Sequence, residues 1–233
     1  MINKCIMNNS KTIKTCDFTT DCPKRRTNKQ CKYCYVEASR SIGFNAKKVI
    51  DRIEYKGEVL RMTKPTIEKL NNVGGLRLFS FGDYVKEDSF IDIYRMLLDC
   101  RTKGLKVKVI TKVVEFIDDF YSDFHDVFSI IHLSIDNVGD GVDHDIARMY
   151  RMTYEKVIIR SVILNDEDME VLEPLSDILT FNHANIKIEG KQCINYKLYP
   201  KKFNALKEEY KNKTCCITGS CASCTIKCGT CNT

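Results

Sequence analysis

Four stretches in the middle of the chain are short, apolar and rich in β-branched or aromatic residues. They are 76–81 (LRLFSF), 105–110 (LKVKVI), 128–135 (FSIIHLSI) and 157–164 (VIIRSVIL). Runs of this length, apolar at most positions, predict strands buried on both faces. Residues 178–181, running on toward 188, predict a further strand, and 12–16 one that precedes them all. Between them the apolar spacing turns helical. A helix starts at Thr63 or Lys64 with Pro65 in its first turn, and Gly74–Gly75 lie beyond its end. Asp88 or Ser89 is expected to cap the next. Its apolar residues Phe90, Ile93, Tyr94, Leu97 and Leu98 recur at helical spacing until Gly104 stops it. Segments 113–121, 143–151 and 166–173 predict the later helices.

Alternating strands and helices predict a parallel sheet with crossover helices. Six strands fall short of a closed eight-stranded barrel. The fold class expected is therefore α/β, a partial (β/α)6 TIM-like barrel, with a doubly wound sheet as the alternative. Residues 1–200 would form the barrel, and 201–233 a helix with a cysteine-rich tail. In either architecture ligands bind at the carboxyl ends of the strands. Those ends carry Gly82–Asp83, Thr111–Lys112, Ser134, Asp136–Asn137, Asn165 and Asn182–His183.

The chain has 233 residues, 11 Gly and 4 Pro, too few of either for a collagen-like or low-complexity chain. No apolar run is long enough to span a membrane. The N-terminus lacks a signal-peptide core, so a cytoplasmic location is expected. Net charge is +6. Thiolates and iron–sulfur cores would offset part of it, so the charge alone says little about a nucleic-acid partner.

Cysteine changes the picture. There are 13, an odd number, clustered near both ends. In a reducing compartment such clusters hold metal rather than disulfides. After the first predicted strand, Cys22, Cys31 and Cys34 form C-x8-C-x2-C. Three thiolates can hold three corners of a cubane cluster and leave one iron open to a small molecule. A structural zinc site using Cys16 or a distant residue is the alternative from spacing alone. The tail, TCCITGSCASCTIKCGTCNT, holds Cys215, Cys216, Cys221, Cys224, Cys228 and Cys231. So short and polar a segment has no core of its own, and metal would order it. Cys216, Cys221, Cys224 and Cys228 are the preferred four ligands of a second [4Fe–4S] cluster; a zinc knuckle is the alternative.

Cys31-Lys32-Tyr33-Cys34 resembles the C-x-φ-C half of the radical S-adenosylmethionine signature, where φ is aromatic. The family's usual first spacing is three residues. Here it is eight, and Cys16 stays open as a substitute for Cys22. Later segments are similar in order. Phe81-Gly82-Asp83 stands where the family has its glycine-rich acidic motif, which holds the methionine amino group. Thr111-Lys112 is similar to the T-K of the spore photoproduct lyase branch and of related phage-borne proteins. Ser134 and Asp136 stand in the slot that contacts the ribose, and the segment ending at Asn165 in the slot that packs on adenine. The resemblance covers about residues 12–190.

It implies a [4Fe–4S] cluster on Cys22, Cys31 and Cys34, with Tyr33 beside bound S-adenosylmethionine. It also implies reductive cleavage of that cofactor to a 5′-deoxyadenosyl radical, which abstracts hydrogen from a substrate. The substrate would be a nucleic acid, a nucleotide or a peptide. A flavodoxin or ferredoxin would supply the electron. Two readings compete: a zinc-stabilised nucleic-acid-binding protein without catalysis, and an iron–sulfur electron carrier.

Of the remaining cysteines, Cys5, Cys100 and Cys193 stand alone. Cys100 is expected in the core; Cys193 is expected to be a buried or surface thiol, with a hydrogen-atom donor, implied by the same resemblance, as the alternative. The four histidines show no ligand spacing; His132 is expected to be structural and His183 is a candidate for the strand-end site. Lys24-Arg25-Arg26 is expected to be a solvated loop, and residues 201–213 a basic amphipathic helix packed before the tail.

Overall fold

The computed structural model describes residues 6–8, 14–16, 18, 54–79, 82–182 and 185–214. Tyr33, Cys22, Cys31, Cys34, Cys216, Cys221, Cys224, Cys228 and His183, each expected above to bear on a site, lie outside the described residues. Seven strands form one sheet: β1 (Ile6–Asn8), β2 (Lys14–Cys16), β3 (Leu76–Leu78), β4 (Val107–Thr111), β5 (Phe128–Ile135), β6 (Val157–Ile163) and β7 (Ile178–Phe181). They lie side by side in chain order. β1 runs antiparallel to β2, and every later neighbour is parallel. The order never reverses, so the doubly wound alternative falls away.

Helices α1 (Lys64–Asn72), α2 (Lys86–Lys103), α3 (Glu115–Phe124), α4 (His144–Thr153) and α5 (Asp168–Leu172) fill the crossovers. Right-handed crossovers between strands in unbroken order put every helix on the same face of the sheet. The core agrees. Leu76, Leu78, Val107, Val109, Ile131, Leu133, Ile135, Ile159 and Phe181 share one cluster with Leu70, Ile93, Leu97, Phe116, Phe120 and Ala147 from the helices. Phe116 lies edge-on to Phe128, with centroids 5.8 Å apart, and tilted against Phe120 at 5.1 Å. Alternate strand residues, among them Arg77, Lys108, Ile110, His132, Arg160 and Ile178, are outside this cluster and face the other way.

Local chemistry accounts for most boundaries. Pro65 sits in the first turn of α1. Asp143 caps α4, accepting from the amides of Asp145 and Ile146 at 3.0 and 3.1 Å. Gly104, at φ 65°, ends α2 in the left-handed region. Gly75 has φ +98°, and a Cβ there would lie 2.0 Å from the Lys106 carbonyl oxygen, so β3 and β4 can start side by side only over a glycine.

Several expectations need correction. α2 begins at Lys86 after Val85, not at Asp88 or Ser89. The Val85 carbonyl accepts from both those amides and from the Ser89 hydroxyl, so they lie inside the first turn. Leu98 is 41% exposed, because it falls on the edge of a helix whose inward face is Ile93, Met96, Leu97 and Cys100. β4 starts at Val107, since the Leu105 amide returns to the Cys100 carbonyl and closes α2. β7 stops at Phe181. Beyond it lies a separate hairpin, β8 (Lys187–Ile188) and β9 (Lys191–Gln192), turned by Glu189 and Gly190 at positive φ. The last helix, α6 (Pro200–Glu209), is shorter than the predicted 201–213. Its Phe203 packs edge-on against Phe181 at 5.6 Å, so α6 belongs to the same core as the sheet. Cys100 is buried in that core, as expected.

Candidate functional site

The carboxyl ends of β3 to β7 are stitched together by side chains. After β3, Asp83 accepts from the Thr111 hydroxyl at 2.5 Å and the Lys112 amide at 2.8 Å, both from the end of β4. It also accepts from the Tyr84 amide at 2.8 Å. Burial pushes the Asp83 carboxyl above its ordinary range, and these three donors pull against that. From the same turn, the Lys112 ammonium lies 3.5 Å from a carboxylate oxygen of Asp136, past the end of β5. Asp136 is buried; its other oxygen accepts from the amides of Val138 and Asp140 at 3.0 and 2.9 Å. Its backbone carbonyl lies 3.1 Å from His144 Nε2.

The β5–α4 loop folds back onto its own strand. The Val142 amide donates to the Ser134 carbonyl at 2.9 Å. A Cβ on Gly141 would come within 2.7 Å of that same oxygen. The Ser134 hydroxyl accepts from Arg160 Nη1 at 3.3 Å. Asn137 donates to Asp168, at the start of α5, at 3.2 Å. The other oxygen of Asp168 accepts from the amides of Leu164 and Asn165, at 2.8 and 2.9 Å, and so shapes the turn after β6. Asn182, just after β7, donates to the Ile194 carbonyl at 2.9 Å, and the Ile194 amide donates to the Leu164 carbonyl at 2.9 Å.

Gly82, Asp83, Lys112, Ser134, Asp136 and Asn165 therefore share one edge of the sheet. Within it, Asp83 and Asp136 organise loops of this chain as much as they face outward. Asp168, which sequence reasoning missed, ties the β5 and β6 turns together; its only signal was its place among the acidic residues opening α5.

Two cysteines bear on this edge. Cys193 is buried against Leu164 and Ile186, next to the end of β6. Burial pushes its thiol up, and the charge of Asp168 adds to the shift, which keeps the sulfur protonated. Cys16, at the end of β2, is buried in the helix-side core and is disulfide-bonded. Cys100 and Cys193 are free. Its place in that core sets Cys16 apart from the inner face.

Sequence reasoning also missed the inner face of the sheet. Arg77, Lys108 and His132 lie in mid-strand at 6%, 0% and 0% exposure, with Arg160 on the same face. The available signal was a basic residue in the middle of each of several apolar strands. Among the described residues no group of three His, Cys, Asp or Glu side chains could hold a metal ion, and no helix is long and apolar enough to cross a membrane. No protein-family model matches the chain, and no curated protein is similar enough to it to serve as a relative.

Proposed function

We propose that the chain is a radical S-adenosylmethionine enzyme on a partial (β/α)6 barrel. The observation that carries the reading is one of connectivity. Six parallel strands lie in unbroken order, and the segment with Cys22, Cys31 and Cys34 leaves the sheet at the carboxyl end of the first of them, β2. That is the edge where Asp83, Lys112, Asp136 and Asn165 converge. A [4Fe–4S] cluster on those three cysteines would supply the electron that cleaves bound S-adenosylmethionine to a 5′-deoxyadenosyl radical.

The chain's own residues do the positioning. Asp83 and Asp136 hold the Thr111–Lys112 turn from both sides. Oδ2 of Asp83, with one donor among the described residues at 2.8 Å, retains a lone pair for a ligand ammonium. Asp168 sets the backbone of Leu164 and Asn165 at the end of β6. The neutral Cys193 thiol beside them can give up a hydrogen atom without first gaining a proton. The six cysteines of residues 215–231 supply enough thiolates for a second iron–sulfur cluster, with zinc as the alternative occupant.

The test uses anaerobically reduced, iron-reconstituted full-length protein. With dithionite and S-adenosylmethionine it should release 5′-deoxyadenosine and methionine, with at least about four irons per chain, the content of one cubane cluster. Cys31→Ala or Cys34→Ala should abolish this, and retained cleavage in either variant would sink the reading. Zinc without iron, together with no cleavage and salt-dependent nucleic-acid binding, would support the non-catalytic alternative.

A further inference from the structure

We infer that the inner face of the sheet around Arg77 is a binding site for an anionic group, a phosphate or a carboxylate, carried by the molecule on which the strand ends act. That action rests on the function proposed above; the anion site does not.

Arg77 is the central residue of β3, in register with Thr15 on one side and Lys108 on the other. Its neighbours Leu76 and Leu78 enter the helix-side core, so Arg77 faces the opposite way. It is 6% exposed, and its Nε and Nη1 are buried without a hydrogen-bond partner. Guanidinium keeps its charge at any working pH. Buried donors without acceptors, on a buried charge, are costly and rare in folded proteins.

The surroundings favour an anion. Among the described residues no carboxylate pairs with Arg77. On the same face the Lys108 ammonium donates to the Val73 carbonyl. Arg160 and Lys112 continue the face toward the strand ends, where Asp136 sits against Lys112. Basic side chains therefore occupy this face at two levels, Arg77 with Lys108 nearer the strand starts and Arg160 with Lys112 nearer the proposed reaction edge, with Ile110, His132 and Ile158 between them. The remaining inner positions mix apolar Ile110, Ile130, Ile158, Val162 and Ile178 with polar His132, Ser134 and Thr180. An anion in such a setting gains far more from a guanidinium than it would in water.

The test is a titration of the reduced full-length chain with sodium phosphate and, separately, sodium acetate, each against sodium chloride of equal ionic strength. It is read by thermal unfolding and isothermal calorimetry. At least one anion should raise the unfolding midpoint in a saturable way beyond chloride. The same anion should bind Arg77→Met at least tenfold more weakly, and Arg77→Lys should recover part of the loss. Binding of phosphate alone identifies a phosphate-bearing ligand, and binding of acetate alone a carboxylate.

No response beyond chloride in the unmutated chain overturns the inference, as does equal binding by Arg77→Met. The unmutated arms keep the test decisive even if a variant folds poorly. Neither arm depends on cofactor cleavage, so loss of the proposed activity in cysteine variants leaves this result independent.

Discussion

The two faces of the sheet are built from the same strands, yet they follow different rules: along β6 the helix side is buried and the inner side half-buried. The helix side is apolar at almost every position and packs Phe116, Phe120, Phe124 and Phe128 into one cluster. The inner side alternates aliphatic residues with Arg77, Lys108, His132, Ser134 and Arg160. The first face is what holds the fold together. The second carries charge that a fold alone does not need. Burial by itself therefore does not mark a residue as structural; in a parallel sheet with its crossover helices packed on one side, the face turned away from them is where function can be housed.

The contrast can be tested from the strongest effect down. Phe128→Ala removes a fully buried ring from the helix side and should cost about 3–5 kcal/mol in denaturant unfolding. Phosphate or acetate binding, measured well below the midpoint, should stay unchanged. Altered anion affinity would mean that the two faces are not separable. Gly75→Ala should cost about 3 kcal/mol, because its Cβ would overlap the Lys106 carbonyl and its φ is positive. A loss below about 1 kcal/mol would show that the start of β3 can shift.

At the strand ends, Asp83→Ala leaves the amides of Tyr84 and Lys112 without their acceptor and should cost about 2 kcal/mol. Cofactor cleavage should fall by more than this destabilisation explains at temperatures where the variant remains folded. A variant of equal stability and undiminished cleavage would remove Asp83 from the site.

The smallest effect lies outside both faces. Arg101 donates to both oxygens of Asp126, at 2.6 and 3.0 Å, across the surface. That bond holds the Asp126 carboxyl below its ordinary range. A depressed carboxyl pKa stabilises the fold above the ordinary range of about 4 and loses that contribution as the pH falls through the depressed value. With both side chains well exposed, Asp126→Asn should cost only about 0.5 kcal/mol at neutral pH. The difference from the unmutated chain should vanish in acid. A difference that persisted at about pH 2, well under the ordinary carboxylate range, would show that Asp126 acts through something other than its charge.

Legibility in the sequence followed locality. β5, the start of α1 at Pro65 and the end of α2 at Gly104 were readable because apolar runs, a fixed proline φ and a left-handed glycine act within a few residues. The start of β4 was not readable, because Leu105 is as apolar as a strand residue but spends its amide closing α2. Nor was the turn after β7, where Asn182 reaches across to residue 194. Of the site, Asp83, Lys112, Asp136 and Asn165 could be named from their positions after predicted strands, but their mutual bonds could not. Arg77 and Lys108 were hidden inside runs that read as simply buried.

Residue order along this chain thus determined the alternation of strands and helices, the polar residues at strand ends and the cysteine spacings, all of which depend on near neighbours. Only the tertiary structure decided which strands lie side by side, that every crossover helix covers the same face, and that Arg77 is buried with donors to spare. Those outcomes depend on register and handedness across the whole sheet. A period-two strand pattern cannot tell one buried face from the other until the helices have taken theirs.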